Sequence, residues 1–182
     1  ALNLTQMGLE VEMFTRRELL DKDQKVGKVT YIYDFEKGLK ECEALIIANR
    51  TDLHIDLAIK AAKEGKNMLI EKPLSHNLES IDTLVRYVDK NSIHLAPGFM
   101  LRFHPNIIFL KHYLSSNPLG KIHYVRALVG QYLPDWRPDS DYKKGYGAKK
   151  EYGGGVILDL IHEIDLSLYL FGEVSSLTCL KQ

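Results

Sequence analysis

The chain has 182 residues, 45% of them hydrophobic, and 24 basic side chains balance 24 acidic ones. This length suits one domain and part of a second, and the hydrophobic share is too high for a disordered chain. Zero net charge argues against a general nucleic-acid binder. No apolar run approaches the roughly 18 residues of a membrane span, and no signal peptide is apparent. We therefore expect a cytoplasmic protein without nucleic-acid or membrane partners.

The first hundred residues alternate between short apolar strands and helices. Continuous or β-branched apolar runs predict strands, and apolar residues at helical spacing predict helices. The predicted strands are 11–14, 29–33, 44–48, 67–70 and 93–96; the predicted helices are 51–64 and one capped by Ser75 or Asn77 that includes Leu78 to Val88. Strands and helices that alternate with short links predict a doubly wound parallel sheet over residues 1–101.

This predicted sheet is incomplete at its start. Ala1 to Gly8 has the pattern of a helix end closed by glycine. The first strand and the glycine-rich turn that would bind a pyrophosphate are not in the sequence and would fall just before Ala1. We expect a fragment of a longer protein, which as given binds dinucleotide poorly.

The pattern changes after about Leu101. A helix is predicted from Pro105 to about Tyr113, and the alternating residues 122–133 predict a long antiparallel strand with one covered face. The loop 134–152 is rich in proline, glycine, tyrosine and charge, which is typical of a functional or mobile segment. One buried helix from Gly155 to Phe171 and a strand over 174–180 complete this second region, residues 102–182.

Polar residues follow three of the predicted strands. Because the carboxyl ends of parallel strands lie along one edge, we expect these residues to line one crevice rather than three separate solvated loops. They are Thr15, Arg16 and Arg17, then Asn49 and Arg50, then Glu71, Lys72 and Pro73.

The first of these clusters bears on cofactor choice. Dinucleotide folds usually place an acid after the second strand to bind the adenosine ribose, and a basic residue there suits a 2′-phosphate. Thr15, Arg16 and Arg17 supply no acid. If a dinucleotide binds, NADP is therefore favoured over NAD; the alternative is a solvated arginine pair.

The predicted helix from Gly155 to Phe171 is apolar nearly all round, yet it carries Asp159, His162, Glu163 and Asp165. Asp159, His162 and Glu163 share one helical face. Buried charged or imidazole groups are unfavourable unless they are paired or face a cavity. His162 is thus either a structural histidine with its own partners or a proton carrier reached through the preceding glycines.

Two further features have more than one interpretation. Trp136 and Arg137 pair a stacking surface with a fixed charge, as in a ligand site, or anchor a surface loop. Cys42 and Cys179 are far apart and fit no metal spacing. We interpret them as free thiols in a reducing compartment and predict no metal site.

With these residues in place, the chain resembles the Gfo/Idh/MocA family of NAD(P)-dependent oxidoreductases over essentially its whole length. Four motifs carry the resemblance, and joined in this order they are specific. They are Ile46 to His54, Ile70-Glu71-Lys72-Pro73-Leu74-Ser75, Gly98 to Pro105, and Gly153 to Asp165.

The resemblance implies a Rossmann-like domain followed by an α+β domain with an open, mostly antiparallel sheet, here incomplete at its end. It also implies hydride transfer between NAD(P) and a hydroxyl-bearing carbon of a sugar, polyol or nucleotide-linked sugar. Lys72 would stabilise the alkoxide, His162 would be the general acid/base, and Asp159 would orient His162 or hold substrate. Cofactor or substrate contacts would come from Asn49, His54, Glu71 and Pro73, with Arg102, Trp136 and Arg137 as further candidates.

One departure concerns Asp159. Family members commonly place the acid four residues before the histidine, where this chain has Leu158. The role of Asp159 is therefore less secure than that of Lys72. The alternative function is a dinucleotide- or sugar-binding regulator without turnover. Because the open sheet of the family has an uncovered face, a homodimer or homotetramer is expected.

Overall fold

The computed structural model describes residues 2–14, 29–136, 138–139 and 141–180. Strands and helices alternate through the N-terminal half, as predicted. In chain order they are α1 (Leu2–Gln6), β1 (Val11–Phe14), β2 (Val29–Ile32), α2 (Phe35–Glu41), β3 (Ala44–Ile47), α3 (His54–Lys63), β4 (Asn67–Ile70), α4 (Ile81–Lys90) and β5 (Leu95–Pro97). Each strand pair within the described residues is parallel, which confirms the prediction of a Rossmann-like fold.

The strands form two sheets rather than the single sheet that was predicted. β1 pairs with β2, and β3, β4 and β5 follow one another in a second sheet. A parallel ladder continues only through a strand that pairs on both of its sides. Among the described residues no strand pairs with both β1 and β3, so the ladder is interrupted there.

The core lies on one face of the second sheet. Ala58, Ala61 and Ala62 of α3 are fully buried, and their small side chains let the helix approach the strands closely. Ile70 of β4 is fully buried, and Leu84 of α4 is only 1% exposed. The α3 and α4 helices therefore fix the positions of the ends of β3 and β4.

The start of α4 differs from the prediction. Ser75 and Asn77 do not cap it; their side chains accept bonds from the main-chain N–H groups of Asn77 and Glu79. The helix begins at Ile81, and Leu78 is 89% exposed. Short polar side chains often bond to nearby main chain in turns, which here delays the helix.

The C-terminal half contains helices and short turns. They are a 3₁₀ turn at Met100–Phe103, α5 (Pro105–Ser115), α6 (Leu133–Trp136), 3₁₀ turns at Tyr142–Lys144, Tyr146–Ala148 and Lys150–Tyr152, α7 (Val156–Asp159) and α8 (His162–Phe171). No helix in the described part of the chain is long and apolar enough to cross a membrane.

The predicted strands over 122–133 and 174–180 are wrong for this structure, and so is the antiparallel sheet: within the described ranges neither segment pairs with a strand. An alternating pattern provides two faces, but a strand also needs a partner for its main-chain groups.

The single buried helix predicted over 155–171 is also wrong. It is interrupted at Leu160 and Ile161, and its apolar side chains are largely accessible, with Val156 68% exposed.

Candidate functional site

The loop after β4 is held by main-chain hydrogen bonds on both sides. Glu71 N donates to Ile47 O at 2.8 Å, and Gly98 N donates to Ile70 O at 2.6 Å. A Cβ at position 98 would lie 3.1 Å from the Cα of Glu71, so this close approach favours glycine. The carboxyl ends of β3, β4 and β5 therefore form one continuous edge.

Lys72 extends from this edge to the other half of the chain. Its half-buried Nζ donates a hydrogen bond to the main-chain O of Asp159 at 2.6 Å. Asp159 ends α7, is only 9% exposed, and precedes His162 by three positions. The structure thus brings Lys72 to the segment that carries the other two predicted catalytic residues, and the contact is made through a main-chain oxygen.

His162 begins α8 with a buried ring nitrogen. Among the described residues its Nδ1 has no hydrogen-bond partner. The imidazole lies edge-on to the ring of Phe99, with 6.2 Å between centroids. Because a buried polar atom without a partner is unfavourable, this nitrogen has the capacity to bond to a hydroxyl or carbonyl of a bound molecule.

His54 is buried and has two main-chain partners. Its Nδ1 lies 3.0 Å from the O of Pro73, and its Nε2 lies 3.1 Å from the O of Asn49. The imidazole is 1% exposed, so it fastens the loop after β3 to the loop after β4. His54 and the buried Pro73 therefore shape this edge, whereas the exposed Asn49 and Glu71 are accessible to a ligand.

Arg50 is committed to protein contacts. Its guanidinium donates to both carboxylate oxygens of Asp52, at 2.5 and 2.8 Å, and lies 3.7 Å from the ring centroid of Tyr152. The hydrogen bonds from Arg50 lower the pKa of Asp52, and the same bonds raise the pKa of Arg50. This contact fastens the 3₁₀ turn at Lys150–Tyr152 to the edge of the sheet.

Arg102 is likewise paired within the protein. It donates to both carboxylate oxygens of Asp165, with the shortest contact 2.5 Å, and the hydrogen bonds raise the pKa of Arg102. Asp165 is 5% exposed. Nε and Nη2 of Arg102 already bond to Asp165. The predicted contact between Arg102 and cofactor or substrate would therefore have to use the remaining N–H groups of the guanidinium.

Asp159 lines a small cavity of about 60 Å³ together with aromatic side chains of the preceding loop. Trp136, Tyr142 and Tyr146 contribute to its wall. The structure therefore places Trp136 near one of the predicted catalytic residues. Ligand pockets usually measure about 300–1,000 Å³, so this cavity is too small for a whole sugar and admits only a group of about the size of a hydroxyl.

Two of the three glycines before α7 do not leave an opening for a ligand, contrary to the expectation, whereas Gly155 is exposed with open space around it. Gly153 and Gly154 are buried. A Cβ at Gly153 would lie 2.8 Å from the Cβ of Thr51 and 3.0 Å from that of His76. Glycine is needed here because other parts of the protein fill this space.

Four predicted residues lie outside the described residues: Thr15, Arg16, Arg17 and Arg137. Sequence reasoning also missed three contacts, made by Phe99, Tyr152 and Asp165. Phe99 precedes Arg102 by three positions within a quoted motif, and this short spacing was the available signal for its contact. The partners of Tyr152 and Asp165 are 102 and 63 positions distant in sequence, and spacing alone does not reveal such pairs.

Two family descriptions match the chain. Residues 13–99 match "Oxidoreductase family, NAD-binding Rossmann fold", and residues 107–182 match "GFO/IDH/MocA C-terminal domain". The predicted boundary after residue 101 falls between them. The chain belongs to the Gfo/Idh/MocA oxidoreductase family, as its motifs predicted.

Several characterised relatives are similar in sequence. Myo-inositol 2-dehydrogenase of Thermotoga maritima is 33% identical over 132 residues, which is 72% of this chain and 36% of that protein. Levoglucosan dehydrogenase of Pseudarthrobacter phenanthrenivorans is 35% identical over 133 residues, 71% of this chain and 33% of that protein. The chain thus spans about a third of the length of these relatives.

A solved structure shares the fold. A levoglucosan dehydrogenase in complex with NADH and levoglucosan superposes with a TM-score of 0.76 at 22% identity, covering 94% of this chain and 50% of that one. At this identity the likeness concerns the fold alone.

Proposed function

We propose that this chain belongs to an NAD(P)-dependent oxidoreductase that transfers a hydride between the nicotinamide and a hydroxyl-bearing carbon of a sugar or polyol. The observation that carries the proposal is the hydrogen bond from Lys72 Nζ to Asp159 O, which brings a cation to the segment that bears His162. The names of the inositol and levoglucosan relatives support the substrate class.

The residues at the sheet edge fit a nicotinamide cofactor and a hydroxyl substrate. The buried Nδ1 of His162, without a partner in the described part of the chain, matches the needs of a group that binds a substrate oxygen. The exposed Asn49 and Glu71 would hold the cofactor at the ends of β3 and β4. When bound, a nicotinamide supplies the hydride acceptor or donor.

The protein's own residues supply charge and proton transfer. As the substrate carbon loses a hydride, its hydroxyl loses a proton and a carbonyl forms. The ammonium of Lys72 stabilises the negative charge that develops on this oxygen. The imidazole of His162 accepts the proton at Nδ1 and returns it in the reverse direction. Asp159 orients one substrate hydroxyl at the small aromatic cavity.

The test measures cofactor binding and turnover separately. NADH and NADPH are titrated by fluorescence into the full-length protein that contains this chain, and its oxidation of myo-inositol and levoglucosan is followed by absorbance. We expect Lys72→Met and His162→Asn each to lower kcat by about 10²–10⁴-fold. Lys90→Met and His94→Asn, at exposed positions, are the matched controls.

Three outcomes decide between the alternatives. Turnover of either variant near the wild-type rate removes the role given to that residue. Cofactor binding without turnover on a broad panel of sugars and polyols favours the regulator. Tighter binding of NADH than of NADPH overturns the preference for NADP that Arg16 and Arg17 predict.

A further inference from the structure

The α8 helix needs an anchor of its own because it is not continuous with α7. The chain leaves helical geometry at Leu160, whose φ of −104° and ψ of 33° interrupt the path between the two helices. Lys72 holds the end of α7 through Asp159. His162 belongs to α8, so this bond alone does not fix the position of its imidazole.

Arg102 forms an ion pair with α8, and Lys111 Nζ also contacts this helix by donating a hydrogen bond to the main-chain O of Tyr169. The Nε of Arg102 lies 2.9 Å from one carboxylate oxygen of Asp165, and its Nη2 lies 2.5 Å from the other. Such a bidentate pair fixes both distance and orientation. Since Asp165 is 5% exposed, its carboxylate would be left buried and unpaired without Arg102.

Two aromatic rings lie near the guanidinium of Arg102, one from the segment after β5 and one from α8. The Cζ of Arg102 lies 5.5 Å from the ring centroid of Phe99 and 5.0 Å from that of Tyr169. His162, Asp165 and Tyr169 are three and then four positions apart, so they lie on one face of α8. Phe99 also contacts the ring of His162. The segment from Phe99 to Arg102 therefore packs along the helix face that carries His162.

We propose that Arg102 is a positioning residue: its pairing with Asp165 fixes α8 against the segment after β5 and so sets the orientation of His162. This inference rests on the proposed function for its effect on turnover. It replaces the expectation that Arg102 contacts cofactor or substrate directly. Lysine cannot replace Arg102 fully, because a single ammonium lacks the planar pair of donors.

The test compares Arg102→Gln, Arg102→Lys and Asp165→Asn with the exposed control Arg86→Gln. We expect Arg102→Gln to lower kcat by about 10- to 100-fold, because a small misplacement of a catalytic group is sufficient for such a loss. The Kd for NAD(P)H and the KM should stay within about twofold of wild type. Arg102→Lys should retain an intermediate kcat, and the control should match wild type.

A second readout does not depend on turnover. In NMR spectra, the imidazole resonances of His162 should shift in Arg102→Gln and Asp165→Asn, while those of the exposed His94 stay unchanged. If the protein proves inactive on every substrate, the proposed function fails, yet these resonances still test the positioning role. If Arg102→Gln does not fold, Arg102→Lys is measured in the same way.

Two results would overturn the proposal. One is a large rise in the Kd for NAD(P)H with kcat unchanged, which would make Arg102 a direct cofactor contact. The other is an unchanged His162 resonance in all of the folded variants.

Discussion

The pair formed by Arg50 and Asp52 illustrates how a polar cluster at a strand end can serve the protein itself. Their side chains are 39% and 16% exposed, so the contact is partly screened by water. Arg50 of this ion pair also stacks on the ring of Tyr152. This stacking connects the edge of the sheet to the loop before α7.

This pair predicts a pH dependence of stability. The pKa of Asp52 is lowered in the folded chain by its bonds to Arg50. The contribution of the ionised Asp52 to the free energy of unfolding is therefore complete above the ordinary carboxyl pKa of about 4. This contribution is lost as the pH falls through the lowered pKa of Asp52 in the folded chain. We expect the stability difference between wild type and Asp52→Asn to narrow from pH 7 to pH 3, as measured by urea unfolding.

The exposed Asp89 provides the control for this measurement. Asp89→Asn should show no such narrowing against wild type. Parallel stability curves for wild type and Asp52→Asn over the whole range would contradict the prediction.

At the scale of elements, the glycines before α7 dock the loop against the sheet edge. Gly153 has a φ of +83°. A Cβ at this position would collide with the Cβ and Cγ2 atoms of Thr51 and the Cβ of His76, none of which is the end of a long flexible side chain. Gly65 has a φ of +68° with open space around it. The two positions thus share a left-handed backbone and differ in whether a side chain fits.

Alanine substitution separates these two effects. Gly65→Ala should destabilise the protein by about 1–2 kcal/mol through backbone strain alone. Gly153→Ala should add about 1–3 kcal/mol for overpacking. Thermal or urea unfolding of both variants measures the difference, and equal losses would show that the contact with Thr51 and His76 is unimportant.

Sequence reasoning succeeded for elements whose information is local. The apolar runs at 44–48 and 67–70 predicted β3 and β4 because buried parallel strands have that composition. The polar residues after these strands were predicted to line one crevice, and its functional role stays a prediction. The alternating segment 122–133 did not form a strand, because pairing depends on residues elsewhere.

The site was predictable only in part for the same reason. Lys72 and His162 were predicted as catalytic residues from their motifs and expected positions in the fold, and their roles stay predictions. Tyr152, which stacks on Arg50, and Asp165, which pairs with Arg102, are distant in sequence from these arginines, so neither contact could be inferred from spacing. Asp52 lies only two positions from Arg50. The contact of Lys72 with main-chain oxygen has no sequence signal, since every residue carries that group.

At the scale of the whole molecule, the buried apolar cluster lies between Leu39 and Ile93. The C-terminal half exposes many large apolar side chains, including Leu128 at 81% and Leu177 at 85%. Such surfaces commonly become buried by association. The expected homodimer or homotetramer remains a prediction that would cover them.

Two leucine substitutions test the difference between the buried core and the exposed apolar surface of the C-terminal half. Leu84→Ala should destabilise the chain by about 2–5 kcal/mol, because Leu84 is 1% exposed in the core. Leu128→Ala should change stability by less than about 0.5 kcal/mol in the monomer. Urea unfolding together with sedimentation measures both; a large loss for Leu128→Ala at concentrations where only monomer is present would contradict it.

The acceptor of the Lys72 hydrogen bond is a peptide carbonyl. The position of the lysine therefore does not depend on the identity of the side chain at position 159. Any amino acid at position 159 would offer the same oxygen, so the anchoring of the ammonium is independent of which side chain faces the cavity. Substitutions at position 159 therefore change the side chain that lines the cavity while the lysine keeps its main-chain acceptor.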